Sequence, residues 1–219
     1  MQIPTVPVAC LDHLDALFAD GRRRVLIGLI GPPGAGKSTF AAALLAAWEA
    51  RHPGTAQVVP MDGYHLANVE LARLGRAARK GAPDTFDSAG FVALLRRLRD
   101  QPAGETVLAP EFRREIEEPV AGAIPVFAET RLVITEGNYL LLDDPRLGAW
   151  GGVRALLDAA WYVDVDPALR LERLIARHVQ FGRSAEAARA WVASTDEPNA
   201  RLIAATRARA QWVFQWGAG

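Results

Sequence analysis

Gly31-Pro32-Pro33-Gly34-Ala35-Gly36-Lys37-Ser38-Thr39 sets three glycines, a lysine and two hydroxyl residues at the spacing G-x-x-x-x-G-K-[ST]. Without a β-carbon, glycines at these positions let backbone N–H groups wrap around phosphate oxygens, and the positive end of the following helix faces the same anion. Lys37 adds a point charge toward the β and γ phosphates, and Ser38 offers a hydroxyl to Mg²⁺. The stretch therefore predicts binding of an ATP-type nucleotide. Two carboxylates accompany it. Met61-Asp62-Gly63-Tyr64-His65 and Thr135-Glu136-Gly137-Asn138-Tyr139 each follow a short apolar run. Asp62 is a candidate base, with a turn cap as the plainer alternative. Glu136 can hold Mg²⁺ directly or through water, and at this stage the two acids could exchange roles.

Elements that could position these groups are visible in the pattern of apolar residues. Val25 to Ile30 reads as a buried strand and Ser38 to Arg51 as a helix stopped by Pro53-Gly54. Gln57 to Pro60, Leu132 to Thr135 and Trp161 to Val165 read as further strands. In an open parallel sheet the carboxyl ends of the strands line the ligand crevice, which would bring Asp62 and Glu136 to the phosphate loop. Leu11, Leu14, Leu17 and Phe18 predict an N-terminal helix, and Arg22 to Arg24 a solvated strand entrance. Leu66 to Pro83 and the following Gly81 to Asp87 stretch read as connections suited to a substrate loop. Ser88 opens an amphipathic helix with Phe91, Leu94, Leu95 and Leu98 on one face and solvated Arg96, Arg97 and Arg99 elsewhere.

Val107 to Pro125, irregular and heavily charged, suggests a lobe over the carboxyl edge of the sheet. Asp166 is a good N-cap, with Pro167 at the first helical position, for a helix to about His178 that carries Arg170, Arg173 and Arg177. Ser184 caps another helix through Trp191, which Thr195-Asp196-Glu197-Pro198-Asn199 is expected to break before Ala200 to Arg209. The tail, Gln211 to Trp216, alternates like an edge strand. Repeated β-α order predicts a single α/β domain over 1–219 with a mainly parallel sheet, a substrate lobe at about 64–125 and a lid at about 167–184.

Composition narrows the classes. Basic and acidic residues balance at 25 each, so no large cationic surface for nucleic acid is implied. The single Cys10, set in a Pro-rich lead, excludes an internal disulfide and a cysteine metal cluster. No signal-like core or membrane-length apolar run is present, and a cytoplasmic, soluble chain is expected. Of the basic residues only Lys37 and Lys80 are lysines, and neither follows an asparagine, which rules out the guanine-reading N-K-x-D element.

Taken together, the phosphate loop, the Asp62 and Glu136 stretches, Ala82-Pro83-Asp84-Thr85-Phe86-Asp87 and the arginine-bearing helix resemble the uridine kinase, phosphoribulokinase and bacterial pantothenate kinase superfamily. The chain is most similar to its nucleoside or sugar kinase-like branch, related to glycerate kinase, and the likeness runs from about Val25 to Phe214. The resemblance implies a P-loop NTPase three-layer α/β/α sandwich that uses ATP and Mg²⁺ to phosphorylate a small-molecule acceptor.

By position it implies that Asp62 takes the acceptor hydroxyl's proton, that Glu136 supports the metal, and that Arg173 and Arg177 approach the transferring phosphate. Gly31, Gly34, Ala35, Gly36, Lys37, Ser38 and Thr39 would hold the nucleotide, with Asn199 beside the adenine. Tyr64, His65, Asp84, Asp87 and Arg113 fall where relatives bind acceptor. The chain departs from uridine kinases at Phe112 to Ile116, which lacks their histidine-bearing pattern, and from pantothenate kinases in lacking extra N-terminal sequence. A nucleoside monophosphate kinase and an ATP-hydrolysing switch or chaperone are the rival readings. A homodimer is compatible with all three.

Overall fold

A computed structural model of the chain describes residues 5–215, so Trp216 of the expected tail strand lies outside the described residues. The first half contains α1 (Val8–Ala19), β1 (Val25–Ile30), α2 (Lys37–Glu49), β2 (Ala56–Pro60), α3 (Asn68–Arg73) and α4 (Ser88–Arg99). A hairpin follows, β3 (Val107–Arg113) and β4 (Glu118–Val126). The second half contains β5 (Leu132–Gly137), β6 (Ala159–Asp164), α5 (Pro167–Gln180), α6 (Ala185–Trp191), α7 (Glu197–Ala204) and β7 (Trp212–Gln215).

Five strands form one sheet in the order β2-β5-β1-β6-β7, and each neighbouring pair is parallel. Its central strands read as near-continuous apolar runs because both faces are covered. Val25, Ile27 and Leu29 turn to the layer that contains Leu14 of α1 and Phe40, Leu44 and Trp48 of α2. Leu26 and Ile30 turn to the other layer, with Phe91, Leu95 and Leu98 of α4 and with Trp150. The result is a three-layer α/β/α sandwich. β7 is the expected edge strand, with Trp212 and Phe214 only partly buried. No helix among the described residues is long and apolar enough to cross a membrane.

Several expectations change once packing is seen. Cys10 lies inside α1 rather than in a lead, fully buried, and burial pushes its thiol up to about 12. The strand-entrance arginine Arg24 is buried rather than solvated. It donates to the carbonyls of Thr130, Leu98 and Phe127 and to Oε1 of Gln101, tying the ends of β5, α4 and the hairpin together. Arg99, expected on the solvated face of α4, donates to Leu156 O and pairs with the buried carboxylate of Asp158. Arg24→Leu leaves several buried carbonyls without donors and is expected to cost about 3 kcal/mol. A lower urea midpoint at unchanged m-value checks it.

Asp166 caps α5 by accepting from the N–H groups of Ala168 and Leu169, and Ser184 caps α6 through Ala187 N. The expected break at Thr195 to Asn199 is absent. Val192–Asp196 forms a π turn that leads directly into α7, with Pro198 in its first turn, where a missing N–H costs least. Leu66 to Pro83, read as connection, contains α3. The charged stretch after Val107 is an antiparallel hairpin with a bulge between Ala109 and Glu111. Prolines 110, 119 and 125 mask it in the sequence, but a two-stranded ribbon has open edges on which a residue without an N–H is tolerated. Within 64–125, α4 packs into the main core, and the hairpin joins the same core through Val107, Ala109 and Val126, as the Tyr64–Asp87 segment does through Phe86.

Candidate active site

The turn between β1 and α2 is left-handed at two points, Gly34 (φ +85°) and Gly36 (φ +88°), a conformation that favours glycine. This curls the loop and starts α2 at Lys37. The Lys37 ammonium, only 8% exposed, donates to Gly31 O (2.8 Å), Pro32 O (3.2 Å) and Asn138 Oδ1 (2.8 Å). Burial pushes its pKa down to about 8, against the pull of Glu136 and Asp62. An incoming phosphate favours the charged form and raises that pKa in the complex. Nucleotide affinity is therefore expected to be greatest below pH 8 and to fall as pH rises through 8 and Lys37 of the free protein loses its proton. Titration of an ATP analogue between pH 7 and 9.5 checks the sign.

Glu136, near the end of β5 and 7% exposed, accepts a 2.8 Å hydrogen bond from Ser38 Oγ. Burial, and then the negative charge of Asp62, raise its pKa. A hydroxyl and a carboxylate in contact are hard oxygen donors, the set Mg²⁺ takes when phosphates and water complete its shell. No cluster of three His, Cys, Asp or Glu side chains suited to a metal exists among the described residues, so a metal here would share its shell with nucleotide.

Asp62 sits on the single helical turn that follows β2, and its Oδ2 accepts from Arg114 Nη2 at 3.3 Å. Gly63 beside it permits the approach of the hairpin: a β-carbon there would lie 2.2 Å from Pro110 O. That contact brings Phe112 and Arg114 over the sheet's edge.

A cavity of about 740 Å³ joins these parts. Gly34, Gly36, Lys37, Ser38 and Thr39 line one end, and Asp62, His65 and Glu136 border it. Arg173 and Arg177 reach it from α5, and Asn199 from α7, where its amide donates to Gly81 O at 3.5 Å. Gly31 supports the loop through its carbonyl to Lys37, and Ala35 is fully buried beneath it.

Four expected acceptor residues do not line the cavity. Tyr64 packs edge-on to Phe91, and burial pushes its hydroxyl up to about 12. Asp84 is engaged by Arg76 and Arg79. Asp87 caps α4 by accepting from Gly90 N. Arg113 points out and pairs with Glu111. Its neighbour Arg114, the first residue of the turn after β3, lines the cavity with Phe112. Sequence reading also passed over Lys80 and Asn138, both of which line the cavity.

Residues 26–218 match the model of the phosphoribulokinase/uridine kinase family. The chain belongs to that family. A Schizosaccharomyces pombe protein provisionally named a uridine kinase is 38% identical over 166 residues, covering 74% of this chain and 69% of that protein. The Escherichia coli protein YggC is 34% identical over 217 residues, 98% of this chain and 87% of its own length. A Silicibacter crystal structure, provisionally named a fructose transport system kinase, superposes with a TM-score of 0.79 at 41% identity. It covers 87% of this chain and 89% of that one.

This phosphoribulokinase/uridine kinase family member is an ATP-dependent kinase of a small metabolite with a P-loop NTPase fold. Its cavity is strained electrostatically in the way a phosphate site requires. The charges of Arg177 and Arg114 disfavour protonation of Lys37, and burial and Arg114 likewise lower the pKa of Arg177. Glu136 and Asp62 offset part of that repulsion, and a phosphate placed among the cations would offset more.

Proposed function

We propose that this kinase transfers the γ-phosphoryl group of ATP, with Mg²⁺, to a hydroxyl of a small metabolite such as a sugar, sugar acid, nucleoside or pantothenate-like alcohol. The observation that carries the reading is the meeting of Lys37, Asp62 and Glu136 in one cavity. ATP supplies the phosphoryl group, and Mg²⁺ held by Ser38 and Glu136 would neutralise charge on its oxygens. Lys37 and the loop N–H groups hold the phosphates in line, while Arg177 and Arg173 offset charge on the equatorial oxygens. Asp62 takes the hydroxyl proton as the acceptor oxygen bonds to phosphorus and the bond to ADP breaks.

Surroundings separate the two acids. Glu136 is buried against Ser38 and suits the metal, whereas the Asp62 side chain is 31% exposed and faces the hairpin, where an acceptor can reach it. α5, with α6 behind it, acts as the lid. The names of the two kinase relatives, one for uridine and one for fructose, both point to hydroxyl-bearing acceptors. A nucleoside monophosphate kinase would transfer to a phosphate and need no base, so Asp62 speaks against it.

Incubation with labelled ATP, Mg²⁺ and a metabolite panel tests the proposal. Label in at least one alcohol supports it, and label found only in inorganic phosphate rejects it.

A further inference from the structure

The side of the cavity under the hairpin carries more positive charge than a neutral alcohol needs. Lys80, one of two lysines in the chain, has a side chain only 15% exposed. Its ammonium donates to Asn68 Oδ1 (2.7 Å) and to Glu117 O, both uncharged acceptors. The nearest carboxylate, on Glu117, lies 3.8 Å away and is 55% exposed. Among the described residues Arg114 has one ion pair, to Asp62 Oδ2 at 3.3 Å, so its charge rests on the carboxylate assigned as the base. Both cations lie against the Phe112 ring, Lys80 Nζ 5.0 Å and Arg114 Cζ 5.8 Å from its centroid. His65, stacked on Phe112 and Phe86, adds little charge, since burial lowers its pKa.

We propose that the acceptor carries an anionic group, a carboxylate or a phosphate ester, which Lys80 and Arg114 bind beside Phe112, and that this anion draws Arg114 off Asp62 and frees the base. The inference rests on the hydroxyl-kinase reading above and narrows its acceptor. A neutral alcohol gives Arg114 nothing in exchange for Asp62. An anion gives it a charge-assisted, bidentate partner. The site thus couples recognition of the acceptor to exposure of the carboxylate that deprotonates it.

Matched acceptor pairs test this with the whole 219-residue chain. Glycerol against glycerate reads the carboxylate, and fructose against fructose 1-phosphate reads the phosphate ester. In at least one pair the anionic member is expected to exceed the neutral one by about tenfold or more in kcat/KM. Arg114→Gln and Lys80→Met should each erase most of that ratio through acceptor KM, and Lys80→Arg should restore part of it. If Lys80 serves only to pin the hairpin tip, Lys80→Met lowers the melting temperature and leaves the ratio intact, which overturns its role.

Equilibrium binding of the same compounds in the presence of a non-hydrolysable ATP analogue reads the anion preference without turnover. Neutral members that bind or react as well as the anionic ones overturn the proposal and leave the kinase standing. Anion binding that depends on Arg114, with no transfer to any compound, upholds the anion site and removes the hydroxyl-kinase reading instead.

Discussion

Asp62→Asn is expected to lower kcat by a factor of about 10² to 10⁴, the range spanned by a positioned general base. Asparagine keeps the shape and can still contact Arg114, so the hairpin contact at 3.3 Å has a polar replacement. What is lost is the ability to take the hydroxyl proton as the O–P bond forms. The KM for ATP should move little, because the loop and Lys37 hold the nucleotide through separate contacts. Steady-state kinetics with any accepted alcohol separates the two effects. A normal kcat in the variant removes Asp62 from the base role. Unchanged turnover would also direct attention to Glu136, the other acid that borders the cavity.

Lys37→Ala is the second large effect, with kcat/KM for ATP expected to fall by about 10² to 10³, as for loss of a preorganised donor to developing charge. Stability should respond differently from activity. The buried ammonium is disfavoured first by burial; Glu136 and Asp62 favour it, Arg177 and Arg114 oppose it by less, and its hydrogen bonds go to carbonyl oxygens rather than to a carboxylate. Removing it relieves the cost of burying a charge but strands Gly31 O and Asn138 Oδ1, and it lets the raised pKa of Glu136 climb further. A melting curve that shifts by a few degrees beside a collapse of turnover is the expected pair of results. A variant that binds an ATP analogue as tightly as the parent would contradict the role given to Lys37.

The phosphate loop was legible because its chemistry is local: glycines, lysine and hydroxyl act within nine consecutive residues, between a strand and a helix whose apolar patterns are plain. The two acids were legible because each ends an apolar run, and parallel strands present their carboxyl ends to one crevice. The caps Asp166 and Ser184 were legible because a cap spans three or four residues. Arg24 was misread because its partners lie between 74 and 106 residues away in the chain. The acceptor side was harder. Arg113 and Arg114 are adjacent in sequence, but β3 ends between them: the first, still on the strand, pairs with Glu111 two residues back, and the second, in the turn, reaches Asp62.

By itself, then, the sequence determined the phosphate loop, the β-α order of the main parallel sheet, and the placing of Asp62 and Glu136 at strand ends, but not the hairpin or α3. Tertiary structure alone decided which residues close the other end of the cavity: Lys80, Phe112 and Arg114 in place of Asp84, Asp87 and Arg113. The reason is physical. A phosphate loop recognises its anion with consecutive backbone groups, whereas the wall proposed for the acceptor is assembled from segments distant in sequence, with Gly63 letting the hairpin backbone come close.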